Sequence, residues 1–365
     1  MSLLAPFQAI LDGEAQIDAD RAVVGWVGLD IPLEVIDAAG RRPVRIRADA
    51  AVSGPAKATF GEGGGHPGMR AVVSRLMTGE DGPIERLAIG STPVTGVWLY
   101  NLLISLGDRR PGVDTWDAVL VDLARRDAPA AHVRNIDAIR AFAEDVGAID
   151  CDALLQAIAD RNALRLHLRQ VDSLRFGPSP RLTGGQARLV LDAAEVASLP
   201  TIIPLIDALL DQAPALPVST GAPVIYSGSG GPSLAVYRAL ESAGLRIVGD
   251  DQDYGSRAIG PDVEESGDPF AALAERYRRR FPAPAGWTIK SRTDFLVGLA
   301  RERGAQAVIF DIADYDHPAA WDLPAQTAAL NEAGVTVRVL SPNAWRDPKD
   351  VAAAVADLAY EAVRG

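Results

Sequence analysis

The apolar positions along the chain follow one rhythm twice, with a different rhythm between. Short apolar runs at 44–47, 87–91 and 117–122 are separated by stretches at 68–77 and 95–106 whose apolar residues recur every three or four positions, which predicts strands alternating with helices. A short amphipathic segment precedes them. From about 131 to 213 no strand-like run occurs, and Leu154, Ile158, Leu164, Leu168 and Val171 keep a helical period instead. The stretch QAPALPVSTGAPV near 214 then supplies the Pro and Gly of a boundary. Beyond it the first rhythm returns. PVIYSGSG reads as strand and turn, PSLAVYRALESAG as helix and LRIVGDD as strand, followed by helices at 269–280 and 291–303. AVIFDI is a further strand, DLPAQTAALNEAG a helix, VTVRVLS a strand and DPKDVAAAVADLAYEAVRG a closing helix.

Strands separated by helices make crossover connections, and crossovers join parallel neighbours with both sheet faces covered. The expected fold class is therefore α/β, with two Rossmann-like domains, each a small parallel sheet covered by helices, and a helical connector between them. The expected boundaries are 1–130 for the N-terminal α/β domain, 131–214 for the connector and 215–365 for the C-terminal α/β domain. A chain of 365 residues is long enough to bury two cores of ordinary size. Open parallel sheets bind ligands beyond their strand C-termini, so the site is expected in a cleft between the two domains.

Composition and charge narrow the partners. Lys and Arg total 36 against 48 Asp and Glu, a formal charge of -12, which argues against nucleic acid and anionic membrane surfaces. The chain has no 18-residue apolar run, and MSLLAPFQAILDGEAQ lacks the basic start and cleavage site of a secretory signal, so a cytoplasmic location is expected. One cysteine, Cys151, excludes an internal disulfide or a CxxC site. It stands where a helix begins, between Asp150 and Asp152. The helix terminus favours a thiolate and the two carboxylates oppose it, so an unremarkable structural or surface cysteine is the preferred reading.

Candidate chemistry gathers on loops after strands. Ser227-Gly228-Ser229-Gly230-Gly231 leaves a strand and enters a helix with Pro232 in its first turn, a setting in which converging backbone N–H groups favour an anion. A tight turn that binds nothing accounts for the same residues. Asp250, Asp251, Asp253, Tyr254, Ser256 and Arg257 follow the next strand, where carboxylates can position a ligand or move protons and Arg257 can grip a carbonyl or phosphate. The plainer alternative is a loop held by carboxylate-to-backbone bonds and one Arg–Asp pair. Asp311, Asp314, Tyr315, Asp316 and His317 lie at and beyond AVIFDI, and His66 lies in GEGGGHPGMR. Glu34, two residues after Pro32, falls in a helical first turn, where dipole and capping preferences explain it better than a place in the cleft.

Several stretches carry a resemblance: GWVGLDIPLEVIDAAGRRPVRI (25–46), HPGMRAVVSRLM (66–77), DLARRDAPAAHVRNIDAIRAFAEDVG (122–147), PVIYSGSG (223–230), GDDQDYGSR (249–257) and DIADYDHPAAWDLP (311–324). Together they resemble the 2-hydroxyacyl-CoA dehydratase and benzoyl-CoA reductase subunit family, of the 2-hydroxyglutaryl-CoA dehydratase D-component type. The resemblance implies a two-subunit system in which a cluster-bearing pair takes one electron from an ATP-dependent iron–sulfur activator and removes water from a 2-hydroxyacyl-CoA through a ketyl radical. It places the family's cluster cysteines on Gly28, His66, Pro93 and Asp316 of this chain, and a further Cys-like position on Asp253. A cluster is held mainly by thiolates, usually four, so with Cys151 alone no iron–sulfur cluster is expected here. No flavin, nicotinamide or haem motif replaces it, and no other cofactor is expected.

The resemblance also turns the Ser227 loop and the Asp-Asp and Gly-Ser-Arg elements toward the active site. Ser227, Gly228, Ser229, Gly230, Ser256 and Arg257 are thus the expected substrate contacts, and Glu34, Asp251 and Arg257 the catalytic candidates. His66 and Asp316, at former cysteine positions, are expected to face one another. With His317 they are the candidate metal ligands, although no third ligand is evident and no metal is expected. The expected function is a cluster-free subunit or paralogue of a dehydratase or reductase complex that shapes or binds an acyl-CoA in its cleft, paired with a second homologous subunit or with itself. Two alternatives remain open. One is a stand-alone non-redox protein that binds or converts an anionic metabolite or CoA thioester, and the other is a homodimeric interaction protein with a vestigial cleft.

Overall fold

The computed structural model describes residues 3–14, 21–48, 54–61, 66–92, 95–109, 116–126, 128–147, 149–229, 234–252, 254–279, 287–312 and 316–340. The first part runs α1 (Ala5–Leu11), β1 (Val23–Val27), α2 (Leu33–Ala38), β2 (Arg42–Arg45), α3 (Gly54–Phe60), α4 (Pro67–Thr78), β3 (Arg86–Gly90), α5 (Thr95–Arg109) and β4 (Ala118–Val121). Four helices follow: α6 (Pro129–Val146), α7 (Cys151–Ser173), α8 (Gly184–Ala194) and α9 (Leu199–Gln212). The second part runs β5 (Ala222–Gly228), α10 (Leu234–Ser242), β6 (Leu245–Asp250), α11 (Ser256–Ile259), α12 (Pro269–Arg278), α13 (Ile289–Arg303), β7 (Ala307–Asp311), α14 (His317–Glu332) and β8 (Thr336–Leu340). The expected closing helix lies outside the described residues.

The strands form two parallel four-stranded sheets of one topology, β2-β1-β3-β4 and β6-β5-β7-β8. This is the α/β architecture the alternating pattern predicts, and the helical stretch between the sheets contains no strand. One strand escaped that reading. The central β1 has the sequence VVGWV, and Gly25 interrupts its apolar run. The glycine is there for space: a Cβ at position 25 would lie 3.2 Å from side-chain carbons of Ile46, Ile84 and Leu87.

In each sheet the strand order reverses at the central strand, and each central strand leads into a glycine in the left-handed region. Gly28 follows β1 with φ 102°, and Gly228 ends β5 with φ 133°. A Cβ at 28 would approach the Cα of Gly90 to 3.0 Å, and a Cβ at 228 would lie 2.0 Å from the carbonyl oxygen of Asp311. Both glycines therefore let a central strand close on its third strand where a topological switch point opens a crevice. Gly228→Ala combines an unfavourable φ with a backbone collision, and is expected to cost about 2 kcal/mol or more in urea unfolding. A cost under about 0.5 kcal/mol would show that the loop relaxes freely.

Packing ties the halves together. Val24, Trp26, Val35, Ile36, Ile139, Phe142 and Leu154 form a core with Leu273 and Tyr277, so α12 of the second half packs on α6 beside the first sheet. Helix α8 packs in turn on α10 and β6. Helix starts follow local capping rules: Thr183 and Gln186 form a capping box, and Asp150 accepts from the Ala153 N–H at the start of α7. Cys151, the first residue of α7, is exposed.

Candidate functional site

The C-terminal strand ends of the two sheets come together along a seam crossed by Tyr254. This residue lies in the loop after β6, and its phenolic oxygen accepts from the Gly28 N–H at 3.2 Å. Its ring lies 6.3 Å from that of Trp26 and under the Arg45 guanidinium, 4.5 Å from the ring centroid. A charge stacked on a partly buried aromatic face fixes the approach of one domain to the other.

On the second-half side, β5 and β6 present a buried polar cluster. Ser227 Oγ donates to Asp251 Oδ2 at 2.9 Å, so a substrate-contact candidate and a catalytic candidate meet directly. Tyr226, behind them, donates to Asp311 Oδ2 at 2.6 Å, and burial together with that carboxylate pushes its phenol well above the usual range, so it stays a donor. The Ser229 N–H donates to the carbonyl of Asp311 at 2.9 Å, which closes the turn after β5 onto β7. Gly230 lies outside the described residues.

The loop after β6 is held from below by ionic contacts. Asp250 is fully buried and accepts from the Ser256 N–H at 2.9 Å, the Gln252 N–H at 3.3 Å and Arg175 Nη1 at 2.8 Å. Burial opposes its ionisation, but the Arg175 charge and the converging donors outweigh burial and hold the carboxyl below its usual range. Arg175 also donates to Asp172 at 2.8 Å and to Ser256 Oγ, and Arg303 pairs with Asp172 at 2.7 Å. Ser256 thus begins the short α11 with its backbone and hydroxyl already engaged. Arg257 is the next residue of that helix, and its side chain lies outside the described residues, as does Asp253.

On the first-half side, Asp30 after β1 pairs with Arg125 after β4 at 2.6 Å, with Asp30 almost fully buried. Sequence reading did not single out this pair, although each residue lies just beyond a strand C-terminus and that position is a usable signal. His66 caps α4, its Nδ1 accepting from the Gly68 N–H at 3.1 Å, and Asp316 caps α14, accepting from the Ala319 N–H at 3.1 Å. Burial pushes the His66 imidazole below its usual range and the Asp316 charge pulls it upward without prevailing. His317, the first residue of α14, is exposed. Among the described residues no set of three ligating side chains converges as a metal site requires.

Glu34 sits elsewhere. It is fully buried in α2, where Oε1 accepts from Arg165 on α7 and Oε2 accepts from the Tyr277 hydroxyl on α12 at 3.0 Å. A carboxylate held in this way joins three segments of the chain.

The donor set can be tested against an iron–sulfur cluster. Of the four positions where the resemblance puts cysteines, Gly28 has no side chain, His66 and Asp316 are engaged as helix caps, and 93 lies outside the described residues. Cys151 is exposed at the start of α7. Gly28, His66, Asp316 and the single thiol of this sequence do not fit a thiolate-held cluster.

Comparison with known proteins gives two matches. The family described as 2-hydroxyglutaryl-CoA dehydratase, D-component, matches residues 116–344. The (R)-phenyllactyl-CoA dehydratase beta subunit of Clostridium sporogenes is 30% identical over 115 residues, which are 32% of this chain and 31% of that protein. No helix among the described residues is long and apolar enough to cross a membrane.

Proposed function

Because the chain belongs to the 2-hydroxyglutaryl-CoA dehydratase D-component family, we propose that it is a cluster-free subunit of a 2-hydroxyacyl-CoA dehydratase-like complex, binding or shaping the acyl-CoA in its inter-domain cleft while a cysteine-bearing partner carries the electrons. The observation that carries this reading is the combination of the family's fold with a donor set unfit for its cluster. The role left to the chain is recognition. Ser227, Gly228, Ser229 and Ser256 stand at and just beyond the strand ends and are assigned to the ligand's polar groups, and Arg257 is assigned to a phosphate or to the thioester carbonyl. Asp251 accepts the Ser227 hydroxyl proton and so leaves that oxygen to accept from a ligand. The beta-subunit name of the Clostridium relative supports a partnered assembly. Exposed Trp98 and Ile104 on α5 and Trp321 on α14 add apolar anchors for such a partner. We further place the protein in the cytoplasm.

Two measurements test the proposal. Anaerobic purification from native cells should bring down a second, cysteine-bearing chain that carries the iron and sulfide. With an acyl-CoA at about 100 times its dissociation constant, the isolated chain should gain about 2.7 kcal/mol of unfolding free energy, and Arg257→Gln should lose most of that gain. A chain that purifies alone and is indifferent to acyl-CoA would sink the reading. Binding without a partner would favour the second reading, a stand-alone non-redox cleft protein, for which the Ser227–Asp251 hydrogen bond is the specific support.

A further inference from the structure

Behind the strand ends, apart from the Ser227 and Asp250 loops, lies a cavity of about 70 Å³ where β1 and the segment after it meet α7, α8 and α12. Trp26 comes from β1 and Leu29 from the segment after it, Arg165 and Leu168 from α7, Leu191 and Ala194 from α8, and Arg276 and Tyr277 from α12. Its polar lining is rich in donors. Arg161, Arg165 and Arg276 bring three guanidiniums, each engaged in part, by Asp37, by Glu34 and Asn162, and by the Ile259 and Pro261 carbonyls, while the one lining carboxylate, Glu195, is paired with Arg45. The remaining walls are largely leucine and isoleucine.

One group in this lining is left over. Trp26 is 5% exposed, and its Nε1–H is buried with no hydrogen-bond partner. A buried donor without an acceptor costs about 1–3 kcal/mol, so such a group calls for a bound molecule to satisfy it. The molecule must present acceptors toward the Trp26 N–H and the guanidiniums and an apolar end toward the leucines. Size limits it further. A dry cavity of about 150 Å³ accepts benzene, so half that volume fits about three or four heavy atoms.

We propose that this cavity is a binding site for a short-chain monocarboxylate of acetate size, its carboxylate accepting from Trp26 Nε1–H and the lining guanidiniums and its methyl group facing the leucine wall. The site is independent of the acyl-CoA reading, since none of its lining residues belongs to the proposed substrate contacts. An occupant would touch both halves and the helical connector, so it would brace the joint that sets the angle of the cleft.

The probe is acetate, titrated against chloride at constant ionic strength on the wild-type chain. Saturation-transfer NMR should show magnetisation reaching the acetate methyl, and Tm should rise saturably by about 2 °C. Trp26→Phe keeps an aromatic ring, though a smaller one, and removes the donor, and should weaken acetate binding by about tenfold or more, because a hydrogen bond to a charged group is lost. Should that variant fold poorly, the wild-type NMR titration decides the matter alone. Absence of saturation transfer, a Tm response that is linear and shared with chloride, or a crystal structure grown in acetate with water alone in the cavity would each overturn the proposal. So would equal acetate affinity in wild type and a folded Trp26→Phe.

Discussion

Arg175→Met is expected to lower the unfolding free energy by about 3–5 kcal/mol. The guanidinium is fully buried and is shared by Asp172, Asp250 and Ser256. Methionine fills comparable space but leaves two carboxylates in the interior without their common cation. Asp172 retains Arg303 at 2.7 Å, so the larger loss falls on Asp250, which is left with hydrogen bonds from Ser256 and Gln252. A charge buried without a partner is what makes breaking such a pair costly. Arg175→Lys should fall between, since an ammonium keeps the charge and cannot reproduce the fork that serves several acceptors at once. Adding Asp250→Asn to Arg175→Met should recover a large part of the loss, because the second change removes the stranded charge. Urea unfolding of these three variants and of Asp250→Asn alone reads all of this. Strict additivity of the two changes would show that the residues are not coupled. The effect also reaches the candidate site, since the same contacts hold the loop from which Ser256 and Arg257 extend.

Arg175 was not legible in the sequence, for a reason that applies widely here. Its carboxylate partner Asp250 lies 75 positions away, and nothing in the local pattern of SLRFGPSP announces a buried cation. Periodicity reports which face of an element is apolar, so it gave the alternation of strands and helices and the strand-free middle. It passed over β1 because Gly25 sits where three side chains close on the backbone, a tertiary demand that mimics a break. Loops were read by composition, and composition brought Ser227 and Asp251 forward as separate candidates. Their hydrogen bond follows from the parallel pairing of β5 with β6, which places the ends of both strands together. The expectation that His66 and Asp316 face one another depended on the resemblance alone. Tyr254 was legible as a member of an acidic loop and not as the residue that bridges the two halves, because a bridge is a property of how domains dock.

The two glycines at the switch points bear on where the proposed cleft would lie. Gly28 and Gly228 occupy equivalent places in two sheets of one topology, and each removes the side chain that would fill the crevice at its strand end. What stands around that crevice is polar yet largely spoken for: Ser227 with Asp251, Asp30 with Arg125, Ser256 with Asp250. Preformed donors and acceptors of this kind favour holding a ligand in one orientation over supplying electrons to it. That is the division of labour proposed for this chain and its partner.

Glu34 should leave its mark on the acid limb of stability. Burial alone would push its carboxyl up, but Arg165 and Arg276 more than offset burial, and the pKa falls from 4.5 to about 2. A group whose folded pKa lies below its unfolded one stabilises the fold fully above the unfolded value, and that contribution is lost as pH falls toward the folded value. At about 1.4 kcal/mol per pH unit, the contribution is about 3 kcal/mol, present at pH 7 and eroded between about pH 5 and pH 2. Other carboxylates such as Asp250 titrate over the same range, so the informative quantity is the difference between wild type and Glu34→Gln. Glutamine preserves the shape and removes the charge facing Arg165, which should cost about 3–5 kcal/mol at pH 7. As Glu34 itself becomes protonated, the difference should shrink by more than half between pH 7 and pH 2.5 in urea unfolding. A difference that stays constant across that range would mean the carboxyl is not held ionised by Arg165 and Arg276. A difference that grows on acidification would reverse the sign of the linkage and make Glu34 a group that carries its proton in the folded state.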